Sequence, residues 1–198
     1  FQVFLANIKA KLQSYGIFYD PKYDFNEQKK TKYLLKDKFD SPHSRVLKTV
    51  KSGSKVLDLG SNDNSLGKIL KKEKNCYVVA VDAQNKSKDE IEVDNYIEFN
   101  LNKGLPDLNY NEFDYILLLD VIEHLKNPEK FMELLKKRID KNPKITVIIS
   151  TPNIGFIVIR LMLLFGSFNY GNKGILDKTH TRLFTFSSFK NLLLQGGF

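Results

Sequence analysis

The sequence predicts an α/β fold, a doubly wound parallel sheet with helices on both faces, and three observations carry that prediction. Short apolar runs alternate with stretches of helical spacing, in the order strand, helix, strand. The runs are continuously apolar rather than alternating, as expected of strands covered on both sides. The length, 198 residues, suits one such domain with a full core and is short for two.

The elements follow in order. Phe1, Phe4, Leu5, Ile8 and Leu12 recur at helical spacing, so residues 1–15 are expected to form a short amphipathic helix. Residues 15–40, rich in tyrosine, lysine and aspartate without a period, read as a connecting segment. The main domain is therefore expected over 41–198. Ser41-Pro42 is a helix start, an N-cap serine before a proline at the first helical position. Val46, Leu47 and Val50 form its apolar face, and Gly53 ends it. Strands are expected at 55–59, 77–82, 96–99, 113–119 and 145–150, and helices at 65–74, 127–137 and from Thr185 to the glycines near the end. Residues 154–168 are apolar and follow the fifth strand, which makes them a buried helix or a lid within a substrate segment at 154–184.

Composition narrows the function classes. The net charge is +8, but the lysine pairs Lys29-Lys30, Lys71-Lys72 and Lys136-Lys137 are scattered, with little arginine and no interleaved aromatic platform. That is a solvated surface and not a nucleic-acid footprint, so no nucleic-acid partner is expected. The single cysteine, Cys76, excludes an internal disulfide and reads as a small buried hydrophobe, so a cytoplasmic setting is expected. The apolar stretch 154–168 is interrupted by Gly155, Arg160 and Gly166 and falls short of the ~20 residues of a membrane helix, so no stable membrane insertion is expected. Phe1 is not a start methionine, and a longer parent chain is expected.

Ligands of such sheets bind beyond the carboxyl ends of the strands, and the sequence carries chemistry there. The first strand runs into Asp58-Leu59-Gly60-Ser61-Asn62-Asp63-Asn64, and a helix opens at Ser65. A tight strand-to-helix turn presents backbone N–H groups, and glycine permits close approach and positive φ. Asn62 and Asn64 stand where further glycines are usual, and asparagine tolerates the left-handed region best among the rest. There is no Gly-x-Gly-x-x-Gly dinucleotide fingerprint. The second strand ends in Val81-Asp82, 24 residues after Asp58, where a carboxylate can accept both ribose hydroxyls of an adenosine ligand.

From about Ser41 onward the chain resembles the class I, Rossmann-like methyltransferases. Val56-Leu57-Asp58-Leu59-Gly60 is similar to their first motif, and Val81-Asp82 to their acidic second one. Phe99-Asn100-Leu101-Asn102-Lys103-Gly104-Leu105-Pro106 resembles the adenine-contacting segment. Phe113 to Leu125, with Asp120-Val121-Ile122-Glu123-His124, resembles the fourth-strand motif, and Ile149-Ser150-Thr151-Pro152-Asn153 the fifth-strand end. The nearest branch holds the ubiquinone-biosynthesis O-methyltransferases and bacterial methyltransferase domains found beside glycosyltransferases. Gly174-Ile175-Leu176-Asp177-Lys178-Thr179-His180-Thr181-Arg182 resembles its substrate-side motif.

The resemblance implies S-adenosylmethionine as cofactor, with Asp58, Gly60, Asn62, Asp82, Ala83, Asn100, Leu101, Asp120 and Val121 around it. It also implies a small-molecule or glycan acceptor, a glycosyltransferase fused to the chain or acting beside it, and two final antiparallel strands that either follow this sequence or are missing from the fold. Asn100 replaces the usual adenine-contacting aspartate, and its amide oxygen can still accept from the adenine amino group.

His124 and His180 are the candidate catalytic residues. If the acceptor is an aliphatic hydroxyl, a base must take its proton, and histidine titrates near neutral pH. His124 follows the fourth strand as that base or as a residue that orients a neighbouring loop. His180 sits in a polar patch that faces the acceptor or solvent. No metal ligand is assigned; Asp120, Glu123 and His124 could hold a hard divalent ion, as the ubiquinone branch suggests, but three adjacent residues are an unspecific signal. Two rival readings stand beside methyl transfer. One is a nicotinamide-dependent oxidoreductase, disfavoured by the missing glycine fingerprint; the other is a non-catalytic cofactor-pocket domain with a regulatory or assembly role.

Overall fold

The computed structural model describes residues 41–86, 91–140 and 142–198, so the amphipathic helix expected over 1–15 and the connecting segment lie outside the described residues. Helix α1 (Pro42–Thr49) starts as its first two residues demand. The Ser41 hydroxyl accepts from the Ser44 N–H at 3.1 Å while the Ser44 hydroxyl accepts from the Ser41 N–H at 2.9 Å, a reciprocal capping box with serine in the third position. Then come β1 (Lys55–Leu59), α2 (Ser65–Lys74), β2 (Tyr77–Asp82), β3 (Asn95–Glu98), β4 (Tyr115–Leu119), α3 (Pro128–Ile139), β5 (Thr146–Ser150), α4 (Ile157–Leu164) and α5 (Phe186–Gln195).

The five strands form one parallel sheet in the order β3-β2-β1-β4-β5. The first three elements of the alternation, β1, α2 and β2, have the expected bounds. β4 begins two residues later than expected because Phe113 closes a short 3-10 turn, Tyr110–Glu112. The order reverses between β1 and β4, and that is the switch point of a doubly wound sheet.

Side chains alternate between two cores. Leu57, Leu59, Val79, Val81, Ile116 and Leu118 pack against Phe131, Met132 and Leu135 of α3 and Leu192 of α5. Val56, Val78, Ala80 and Leu117 pack on the other face against Val46 of α1 and Leu66 and Leu70 of α2. Burying each large aliphatic side chain contributes ~1.5–3 kcal/mol, so both faces hold the strand ends in place. Cys76 is a buried free thiol, as expected.

The stretch after β5 departs from a buried helix. α4 buries only Ile159, while Ile157, Leu161 and Leu164 are exposed, with Phe165 beyond its end 83% exposed. No described helix is long and apolar enough to cross a membrane. α5 begins with a second capping box, Thr185 with Ser188, and stops at Gly196.

Candidate functional site

The loop after β1 is built from left-handed residues. Gly60 has φ +88°, Asn62 48° and Asn64 61°, so the asparagines do occupy the conformation expected of glycine. The N–H groups of Gly60 and Ser61 donate to the Val81 carbonyl at 2.7 and 3.1 Å, which draws the turn against β2. Gly60 is required a second time by packing. A Cβ there would lie 2.4 Å from Val121 Cγ2, in the turn after β4. Beside it the Ser61 hydroxyl and both amide atoms of Asn64 are buried without a partner. Buried polar atoms are satisfied as a rule, so an edge of the loop rich in unused donors and acceptors suits a polar ligand.

Asp82 closes this loop. One carboxylate oxygen accepts from the Asn62 N–H at 2.8 Å and the other from the Gln84 N–H at 3.0 Å. Ala83 follows, exposed. The Lys86 ammonium donates to the Asn62 carbonyl and lies 5.2 Å from the centre of the Tyr96 ring. Asp58 is 4% exposed at the end of β1. Burial, and then the charge of Asp82, push its carboxyl up to about 7 against the opposing charge of Lys86.

A raised carboxyl pKa carries a definite sign. The folded state holds the Asp58 proton more tightly than the unfolded chain does. Stability from this group is therefore full below pH ~4 and falls as pH rises through about 7. A shift from 3.8 to about 7 corresponds to at most ~4 kcal/mol at 1.36 kcal/mol per unit. The Asp58→Asn variant should accordingly lose less thermal stability between pH 5 and pH 8 than the parent. Melting curves of equal pH slope in the two proteins would refute this.

The Asn100 side chain accepts from the Asn102 N–H at 2.9 Å, and the Asn102 side chain accepts from the Lys126 N–H at 2.8 Å. Leu101 beside it is buried. The segment after β3 is thus linked to the chain that follows β4.

The other half of the cleft follows β4. Asp120 takes φ +54°, donates its N–H to the Ser150 carbonyl and hydroxyl, both at 3.1 Å, and accepts from that hydroxyl at 2.7 Å. A 3-10 turn, Ile122–His124, then buries Glu123 to 1% exposure. One Glu123 oxygen accepts from the Thr151 hydroxyl at 3.0 Å, and the other is buried without a partner. Burial pushes this carboxyl up to about 7. His124 and His180, 56 residues apart in sequence, meet edge to face with ring centres 4.8 Å apart. Burial, aided by the charge of His124, holds the His180 pKa below its ordinary value, against the Ile175 carbonyl that accepts from its ring.

The geometry brings Gly60, Asn62 and Asp82 into one cluster and Val121 onto Gly60, and it joins His124 to His180. Asp120 is held by Ser150 and lies outside the Glu123, His124 and His180 group, although its charge acts on both Glu123 and His180. One residue, His43, escaped sequence reasoning, and so did the burial of another, Glu123. Glu123 was noticed only as an ion ligand, because nothing in a sequence marks a glutamate as buried. His43 on α1 is held below its ordinary pKa by burial, opposed by Asp120 and Asp63, so α1 flanks the same cleft.

Comparison with known proteins gives the fold's relatives. No curated protein matches the chain. Among solved structures, a S-adenosylmethionine-dependent methyltransferase from Archaeoglobus fulgidus is 19% identical with a TM-score of 0.54, covering 82% of this chain and 72% of that one. The Haemonchus contortus phosphoethanolamine N-methyltransferase 2, in complex with S-adenosyl-L-methionine, is 16% identical with a TM-score of 0.51, covering 79% of this chain and 36% of that one. A chain from the Haloferax volcanii complex of the Trm112 methyltransferase activator is 11% identical with a TM-score of 0.54; the match covers 79% of this chain and 65% of that one, less than two thirds of its length. These likenesses establish a class I methyltransferase fold. The family model of the methionine biosynthesis protein MetW matches residues 40–180, most of the chain and all of the cleft described above, and the protein belongs to that family.

Proposed function

We propose that the cleft binds S-adenosylmethionine and transfers its methyl group to a hydroxyl of a small molecule or glycan. The observation that carries this reading is the loop Gly60 to Asn64, whose left-handed turn is held by the Asp82 carboxylate and whose Ser61 and Asn64 polar atoms are buried without partners. Asp82 would take the ribose hydroxyls. Asp58, Gly60 and Asn62 would line the methionine end, and Ala83, Asn100 and Leu101 the adenine, with Asp120 and Val121 between. When bound, the sulfonium supplies an activated methyl group for an in-line displacement.

The chain then has to align the acceptor, worth up to ~7–11 kcal/mol, and remove its proton. The His124 ring donates from Nδ1 to the Thr179 carbonyl at 3.2 Å, which leaves the Nε2 lone pair to accept that proton. His180, packed on the edge of His124, positions the acceptor. The reading includes a cytoplasmic setting in a bacterial cell, and a glycosyltransferase acting beside the domain would suit a glycan acceptor.

Asp82→Ala tests the cofactor half. S-adenosylhomocysteine binding should weaken by ~1.5–3 kcal/mol, the range for hydrogen bonds to a charged group, as measured by calorimetry. Unchanged affinity would remove Asp82 from the site, and binding of NAD in place of S-adenosylhomocysteine would overturn the reading.

A further inference from the structure

We infer that Glu123, His124 and His180 bind one divalent transition-metal ion at the acceptor side of the cleft. One donor atom from each of the three residues lies within 4.8 Å of the others. Donors at ~2.0–2.2 Å around a tetrahedral ion stand about 3.4 Å apart, so the three residues are already grouped near the spacing that one ion needs.

Three further features prepare the site. The first is the tautomer of each histidine. His180 Nδ1 lies 3.1 Å from the Ile175 carbonyl, which can only accept, so the proton is on Nδ1 and the lone pair on Nε2. His124 Nδ1 lies 3.2 Å from both the Thr179 carbonyl and the Thr179 hydroxyl. That hydroxyl donates to Asp177 at 2.8 Å, so toward His124 it too can only accept. Both imidazoles therefore carry an outer partner on Nδ1 and keep the Nε2 lone pair, the tautomer that metal-binding histidines use.

The second feature is the Glu123 oxygen that is buried with no partner. A nearby cation would satisfy it. The third is the framework. The Glu123 carbonyl accepts from the N–H groups of Thr181 and Arg182 at 2.8 and 3.1 Å and from the Thr181 hydroxyl at 3.1 Å. The same bonds fasten the turn carrying Glu123 and His124 to the segment carrying His180.

The donor set decides the kind of ion. Asp120, which an oxygen-rich site for a hard ion would use, is bonded to Ser150 and stands outside the set. Two imidazole nitrogens and one carboxylate oxygen suit zinc, cobalt(II), nickel or iron(II) rather than magnesium. Three protein ligands leave a position open, where an acceptor oxygen could bind and be acidified. Binding of the ion is independent of the methyltransferase reading, whereas its use at the acceptor hydroxyl rests on it.

The test uses the full chain without a polyhistidine tag, stripped with a chelator and titrated with cobalt(II) chloride by visible absorption and with zinc chloride by calorimetry. One equivalent should bind with the appearance of ligand-field bands. His180→Ala and His124→Ala should each weaken binding at least as much as the ~10–100-fold that loss of an outer partner costs. Glu123→Gln should weaken it as well, with melting curves to verify its fold. Because Glu123 is buried and that variant is at risk of unfolding, the half-buried His180 carries the decision. Absence of binding at millimolar metal, or equal affinity in the parent and His180→Ala, would overturn the site. S-adenosylhomocysteine affinity, read in the same proteins, should be nearly unchanged in His180→Ala, so failure of the metal site and failure of the cofactor reading are told apart.

Discussion

His124→Ala should lower turnover ~10²–10⁴-fold and leave S-adenosylhomocysteine affinity nearly intact. The split follows from where the residue stands. His124 belongs to the turn after β4 and faces Thr179 and His180, whereas the cofactor loop is closed by Asp82 and Val121. The imidazole is oriented by its Nδ1 bond, so its removal takes away a fixed proton acceptor. The loss should shrink at high pH, where hydroxide or the acceptor's own ionisation replaces the base. A metal ion held by the cluster would make His124 act through that ion, and activity of chelator-stripped protein separates the two routes. His180→Ala should instead raise the acceptor KM more than it lowers kcat. Equal activity of the parent and His124→Ala at neutral pH would exclude any role for the ring in proton removal.

Gly60→Ala should be the most damaging change on the cofactor side. Its φ of +88° costs an L side chain ~1–2 kcal/mol, and a Cβ 2.4 Å from Val121 Cγ2 adds an overpacking cost of ~1–3 kcal/mol. Together these predict a destabilisation of ~2–5 kcal/mol, read by thermal melting, with loss of S-adenosylhomocysteine binding as the loop shifts. The two costs are separable. Adding Val121→Ala to Gly60→Ala relieves the clash and leaves the backbone strain, so the double variant should recover only the steric share. Parent-like melting of Gly60→Ala would show that the loop takes another path.

Much of this was legible before any coordinates, and the reasons are physical. Strands covered on both faces need unbroken apolar runs, which is why 55–59 and 77–82 were readable to the residue. The serine cap announced α1 through local hydrogen bonds that need no tertiary context. Asn62 and Asn64 could be placed in the left-handed region because few other side chains tolerate it. What local chemistry does not encode stayed hidden. Asp120 adopts positive φ because Ser150, on a neighbouring strand, takes its N–H and its carboxylate. The pairing of His124 with His180, the burial of Glu123 and the exposure of α4 arise from segments distant in sequence, and no periodicity reports them.

The turn after β4 touches both halves of the cleft within three residues. Val121 fills the space in front of Gly60, and the Glu123 carbonyl bears the weight of Thr181 and Arg182. It stands as a strut between the two loops. A ligand that displaces the 179–182 segment should therefore change the affinity of the Gly60 loop for its own ligand, which titration of one in the presence of the other measures. Such coupling is reciprocal by thermodynamic necessity: whatever factor the first ligand imposes on the affinity of the second, the second imposes on the first.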